Sequence, residues 1–192
     1  MSQPPLPLKI LFLCTGNSAR SILGEYLIRQ VAPGRFESYS AGAHPSGHVN
    51  PHVVRLLRET YRIDASAARS KSWEEFLPDR AKDSSGALTG MAGRQYQETT
   101  FDFVVTVCDH AREVCPVWPG QPLVAHWGLP DPASFQGSDE EIARQVAQVA
   151  FQMRRRLDLF CSLPLEKMER LKLAEAMGSI GGEGVSLQGS AA

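Results

Sequence analysis

Residues 8–13 form an apolar run broken only by Lys9, the pattern of a parallel strand covered on both faces. Behind it, residues 21–31 place Ile22, Leu23, Tyr26, Leu27 and Val31 at helical spacing, and Pro33 with Gly34 ends the pattern. Residues 36–40 read as a second strand closed by Ala41 and Gly42, and residues 51–61 as a second helix with Val53, Val54, Leu56 and Leu57 inward. A short helix is expected over residues 72–76. From 78 to 99, Ser84, Ser85, Gly86, Gly90 and Gly93 mark a long surface loop. The third strand, residues 101–107, is the most β-prone run in the chain, and a shorter fourth follows at 122–127. Ser138 with Asp139, Glu140 and Glu141 caps a long helix that presents Ile142, Val146, Val149, Ala150, Met153 and Leu157. A last helix is expected over 163–177, stopped by Gly178, with a small-residue tail at 179–192.

Strands that alternate with helices imply an α/β fold. The expectation is a four-stranded parallel sheet flanked by helices on both sides, a flavodoxin-like three-layer sandwich spanning residues 8–177. In such folds a ligand binds beyond the carboxyl ends of the strands, so chemistry should gather there.

Composition narrows the class. At 192 residues with 43% hydrophobic and 21% charged positions, the chain suits one folded domain. Twenty Lys and Arg against 21 Asp and Glu leave a net charge of -1, which lacks the basic footprint of a nucleic-acid binder. No apolar run approaches the ~20 residues that cross a bilayer, so no membrane partner is expected. The N-terminal stretch also lacks the basic flank and cleavage site of a secretory leader, so the expected location is cytoplasmic. Cys14, Cys108, Cys115 and Cys161 are spread over a chain with an ample apolar core, unlike a disulfide-dense secreted domain. Their reactivity therefore comes first.

Cys14, Thr15, Gly16, Asn17, Ser18, Ala19, Arg20 and Ser21 lie between the first strand and the first helix. Successive backbone N–H groups and a helix N-terminus there can wrap an oxyanion. Cys14 stands at the base, where the helix end and the Arg20 guanidinium should favour thiolate, and Arg20 can grip two oxygens of a tetrahedral anion. Asn17 tolerates a left-handed backbone and can brace the loop, while the Ser21 hydroxyl can donate to the Cys14 sulfur. This loop resembles the signature of the low-molecular-weight protein tyrosine phosphatase superfamily.

Two segments narrow the resemblance. His126, Trp127, Gly128, Leu129, Pro130, Asp131, Pro132 and Ala133 follow the fourth strand, so the Asp131 carboxylate can reach the anion site as acid or base, or simply form an Asp-Pro turn. Cys108 and Cys115 lie just past the third strand on the same edge. This pair, with Ser40 to Gly42, Val49 to Pro51 and Ser70 to Trp73, is similar to the thioredoxin-coupled arsenate reductases of that superfamily. The 78–99 loop is longer than that family's pattern and enters the third strand at the opposite edge.

The resemblance implies a relay in which Cys14 attacks arsenate, Cys108 attacks Cys14, and Cys115 attacks Cys108 to leave a disulfide for thioredoxin. Cys161 is left as packing. It implies no organic cofactor, a monomer, and in some members a potassium ion held by residues matching Asn17, Glu25 and Ser40, although Glu25 on a helix can equally be a solvated charge. One rival is a phosphotyrosine phosphatase in which Asp131 protonates the leaving group. Ala133 stands where those enzymes carry an aromatic, and Ser18 where many have a second cysteine. A non-catalytic oxyanion sensor would have no use for three such thiols.

Overall fold

The computed structural model describes residues 7–77 and 100–182. Strands β1 (Leu8–Cys14), β2 (Phe36–Gly42), β3 (Phe103–Thr106) and β4 (Leu123–His126) form one sheet in the order β2-β1-β3-β4. All three pairings are parallel, with Cys14 opposite Gly42 and Leu13 opposite Thr106. The chain first steps from β1 to β2 and then crosses back past β1 to β3. That reversal opens a crevice at the carboxyl ends of β1 and β3.

Helices α1 (Arg20–Val31), α2 (Pro51–Glu59), α3 (Asp109–Glu113), α4 (Asp139–Ser162) and α5 (Arg170–Ile180) connect or follow the strands. Alternation along β1 splits the core in two. Ile10, Phe12 and Cys14 face a large cluster with Leu23 and Leu27 of α1, Leu57 of α2, Met153 and Phe160 of α4, and Met177 of α5. Leu11 and Leu13 face a smaller cluster with Ala41, Phe101, Val104 and Trp118. The sheet is flanked by helices as the pattern implied. The cover is uneven among the described residues, because the second face is closed by Trp73, Phe76 and Trp118 rather than by a long helix. Bulky rings suffice there because Phe101 sits edge-on to Phe76, Tyr39 and Trp118 at centroid distances of 5.6 to 5.7 Å.

Two glycines let elements close on each other. A Cβ at Gly24 would lie 2.6 Å from the Phe12 ring, so only glycine lets α1 settle this deeply on β1. A Cβ at Gly42 would lie 2.5 Å from the Thr15 carbonyl oxygen, so the end of β2 can press against the Cys14 loop only without a side chain.

Ser138 caps α4 as expected, and the cap is a full capping box, with the Ser138 side chain bonded to the Glu141 N–H and the Glu141 side chain returning to Ser138. The last helix differs from the expectation. It begins at Arg170, not 163, and runs through Gly178 to Ile180, into the stretch expected to be tail. Leu163 precedes Pro164 and is extended at φ -70, ψ 140, because proline disfavours a helical residue before it. The 78–99 loop and residues 183–192 lie outside the described residues.

Candidate active site

The loop from Cys14 to Ser21 is held by its own carbonyls. The Cys14 carbonyl accepts from Ala43 N–H at 3.1 Å, Thr15 from His44 at 2.8 Å, Gly16 from Ser46 at 2.9 Å and Ser18 from Asn50 at 2.8 Å. A trans peptide points its N–H opposite its C=O, so carbonyls tied to the 43–50 segment turn the loop's N–H groups the other way. The Asn17 N–H accordingly points at Cys14 Sγ, 3.1 Å away. Ala19, the N-cap of α1, makes no side-chain cap bond, which leaves the first-turn N–H groups for an anion.

Asn17 adopts a left-handed φ of 44° at the tightest point of the turn. Its amide NH2 donates to Ser21 Oγ at 2.9 Å and Ser40 Oγ at 3.0 Å, and its Oδ1 accepts from Lys71 N–H at 2.8 Å. Ser21 Oγ lies 3.0 Å from Cys14 Sγ. The bracing read from the sequence is thus present.

Burial pushes the Cys14 thiol up, and this outweighs the pull from Ser21 and the Arg20 charge; Cys108 adds to the upward push. Arg20, which draws the thiol down, has its Nη2 paired with Asp131 Oδ2 at 3.0 Å. Arg20 Nη1 also donates to the Leu129 carbonyl at 3.3 Å. Asp131 forms the turn and also stands beside the anion loop, since Oδ1 caps the short turn Pro132–Ser134 through Ala133 N–H at 3.0 Å while Oδ2 faces Arg20. Arg156 on α4 anchors this segment through the Gly128 carbonyl at 2.9 Å.

Cys108 is buried beside the loop, its Sγ 3.3 Å from Thr15 Oγ1. It is the N-cap of α3, and Cys115 follows that helix with its Sγ accepting from Trp118 Nε1–H at 3.4 Å. Burial pushes the Cys115 thiol up, and Trp118 pulls it down. Cys161 stands apart, half-buried beside α4's end, with its thiol pushed up to about 11 by burial.

Glu25 is not a solvated charge: it is buried, with Oε1 bonded to Arg29 at 2.7 Å. Its Oε2 accepts from Ser40 Oγ–H and lies 3.4 Å from Lys71 Nζ. Asn17, Glu25 and Ser40 do converge, but they do not fit the implied potassium ion. The ammonium of Lys71 already stands among them, and Asn17 presents hydrogen atoms rather than its oxygen to Ser40. Burial pulls Lys71 down while Glu25 holds it up.

Sequence reasoning gave no role to Lys71, Trp118 or the His126 network, in which His126 bridges Thr106 Oγ1 at 2.9 Å and Asp109 Oδ1 at 3.1 Å. None of these carries a local signal; the closest was the Ser70 to Trp73 match, read only as resemblance.

A parallel sheet reversing at β1, with a cysteine beneath an uncapped helix N-terminus, defines an α/β protein of the low-molecular-weight phosphatase class. Residues 9–169 match the family described as Low molecular weight phosphotyrosine protein phosphatase, and the chain belongs to that family. It is similar to an arsenate reductase of Halalkalibacterium halodurans, 36% identical over 132 residues that cover 69% of this chain and 79% of the relative. An arsenate reductase of Oceanobacillus iheyensis is 32% identical over 151 residues, covering 79% of this chain and 93% of the relative. A solved structure described as an arsenate reductase in oxidized state superposes with a TM-score of 0.57 at 23% identity, over 78% of this chain and 93% of that one. At that identity the likeness speaks for the fold. The resemblance read from the Cys14 loop is borne out. Among the described residues, no helix is long and apolar enough to cross a membrane.

Proposed function

We propose that this protein reduces arsenate to arsenite through Cys14, Cys108 and Cys115, with thioredoxin restoring the thiols, as a monomeric cytoplasmic enzyme of arsenic resistance. The observation that carries the reading is the position of Cys108 against Thr15, inside the loop that Cys14 anchors, with Cys115 one short helix away. The names of the sequence relatives support the substrate.

The Cys14 sulfur attacks arsenic held by Arg20 and the loop N–H groups, and one arsenate oxygen leaves as water after taking a proton. Asp131, whose Oδ2 lies 3.0 Å from Arg20 Nη2, handles that proton. Cys108 thiolate then attacks Cys14 Sγ, the S–As bond pair stays on arsenic, and As(V) leaves as As(III) while a Cys14–Cys108 disulfide forms. Cys115 thiolate attacks Cys108, which frees Cys14 and moves the disulfide to Cys108–Cys115. A thioredoxin dithiol supplies the two electrons that close the cycle.

Phosphate and arsenate are near-isosteric, so hydrolysis of a phosphotyrosine ester through a Cys14 phosphoenzyme is the alternative, and one experiment separates them. Arsenite release with thioredoxin and its reductase is measured beside aryl phosphate hydrolysis. Cys14→Ser should abolish both. Cys108→Ser and Cys115→Ser should stop multiple-turnover reduction and spare hydrolysis; wild-type reduction rates in both variants would refute the relay.

A further inference from the structure

Lys71 takes no part in the thiol chemistry, yet its side chain is only 10% exposed and points into the support of the nucleophile loop. Its Nζ lies 3.2 Å from Ser40 Oγ, 3.4 Å from Glu25 Oε2 and 3.5 Å from the Arg69 carbonyl. These are three oxygen atoms from three segments, the kind of donor set that a hard monovalent cation takes. We infer that the Lys71 ammonium is a resident cation that stands in for a bound alkali-metal ion, and that it positions the Cys14 loop through Ser40, Glu25 and Asn17.

Three observations carry this. First, the orientation of the Asn17 amide is fixed by its partner, because the Lys71 N–H can only donate and so must face Oδ1. The Asn17 oxygen is therefore already used, and its NH2 group faces Ser40. An ion drawn to Asn17 would meet hydrogen atoms, whereas the position of Lys71 Nζ meets the Ser40, Glu25 and Arg69 oxygens. Second, both oxygens of Glu25 have cationic neighbours, Arg29 on Oε1 at 2.7 Å and Lys71 on Oε2 at 3.4 Å. A third positive charge against one carboxylate in a buried site is repelled without solvent to screen it. Third, the network is continuous to the nucleophile. Lys71 bonds Ser40, Ser40 and Asn17 bond each other, Asn17 bonds Ser21, and Ser21 touches Cys14 Sγ at 3.0 Å.

Lys71 is thus a positioning residue. Its main chain is fixed independently, by its N–H to Asn17 and by its carbonyl accepting from Gly42 N–H at 2.9 Å. Shortening the side chain therefore removes the ammonium and leaves the segment tied to the loop. The inference uses the nucleophile loop of the proposed function, but it does not depend on which oxyanion is the substrate.

The test measures melting temperature and the dissociation constant for inorganic phosphate, at constant ionic strength, in potassium chloride and in choline chloride. The wild-type protein should give the same values in both salts. Lys71→Ala should melt lower and bind phosphate about tenfold more weakly in choline chloride, with potassium chloride recovering much of both losses. Lys71→Arg, which keeps a cation, should stay indifferent to the salt, and it carries the test if Lys71→Ala does not fold. A potassium-specific stabilisation of the wild type overturns the inference. So does a Lys71→Ala protein that matches wild type, or whose defects are equal in the two salts, and so does a Lys71→Arg protein that depends on potassium. Loss of arsenate reduction with all these results intact would fault the proposed function alone.

Discussion

Forming the Cys108–Cys115 disulfide must take α3 apart. Cys108 caps the helix in an extended conformation at φ -149, ψ 153, and five helical residues, Asp109–Glu113, separate it from Val114 and Cys115. At about 1.5 Å per helical residue, seven steps put the two Cα atoms roughly 10 Å apart, against a ceiling of ~7 Å for a disulfide. The thiols also start on different sides, with Cys108 packed in the large core cluster and Cys115 against the aromatic cluster on the other face of the sheet. Unwinding removes the bonds from Arg112 N–H to Cys108 and from Val114 N–H to His110, both 3.2 Å, and uncovers Ala111, the one buried residue of α3. Those two end bonds and the i→i−4 bond inside the helix, at ~1 kcal/mol each, with one methyl group at ~0.8 kcal/mol, sum to about 4 kcal/mol. That cost raises the potential of the disulfide by about 85 mV over an unstrained one, which favours its reduction by a partner dithiol. It also corresponds to roughly a thousandfold of amide protection in the reduced state. Hydrogen exchange should therefore show the Arg112 and Val114 amides protected in reduced protein and nearly free after oxidation, with β1 amides unchanged. Equal protection at both positions in the two states would refute the unwinding.

Because burial pushes the Cys14 thiol up, its thiolate fraction should still be rising through neutral pH. Peptide-resolved alkylation of Cys14 should quicken by roughly tenfold per unit from about pH 6 to about pH 8; a flat profile would mean a preformed thiolate. Asp131→Asn should lower kcat by about a hundredfold with a much smaller change in KM, if the carboxylate handles a proton rather than holding substrate. An unchanged kcat removes it from the mechanism. Gly42→Ala, whose new Cβ meets the Thr15 carbonyl at 2.5 Å, should cost about 1–3 kcal/mol in denaturant unfolding and weaken phosphate binding; wild-type values for both would show that the loop does not rest on Gly42.

The sequence by itself determined whatever depends on neighbours in the chain. An apolar run made β1, helical spacing made α1 and α4, Ser138 and Glu141 closed a capping box, and eight consecutive residues carried nucleophile, turn and guanidinium. Those signals are local, since a strand, a cap or an anion loop satisfies its own backbone within a few residues. Even so, local pattern misplaced the start of α5, because the apolar content of residues 163–168 outweighed the single steric veto of Pro164. The tertiary structure alone decided the electrostatics. Thr15 meets Cys108 across 93 residues of sequence, Arg20 meets Leu129 across 109, and Lys71 meets Glu25 across 46. A parallel sheet brings every strand's carboxyl end to one edge, so residues far apart in the chain share one site. There burial outweighs Ser21 and Arg20 at Cys14, and the Lys71 ammonium stands beside the buried Glu25 carboxylate. Solvent access and partner charge set both outcomes, and these exist only once the chain has folded.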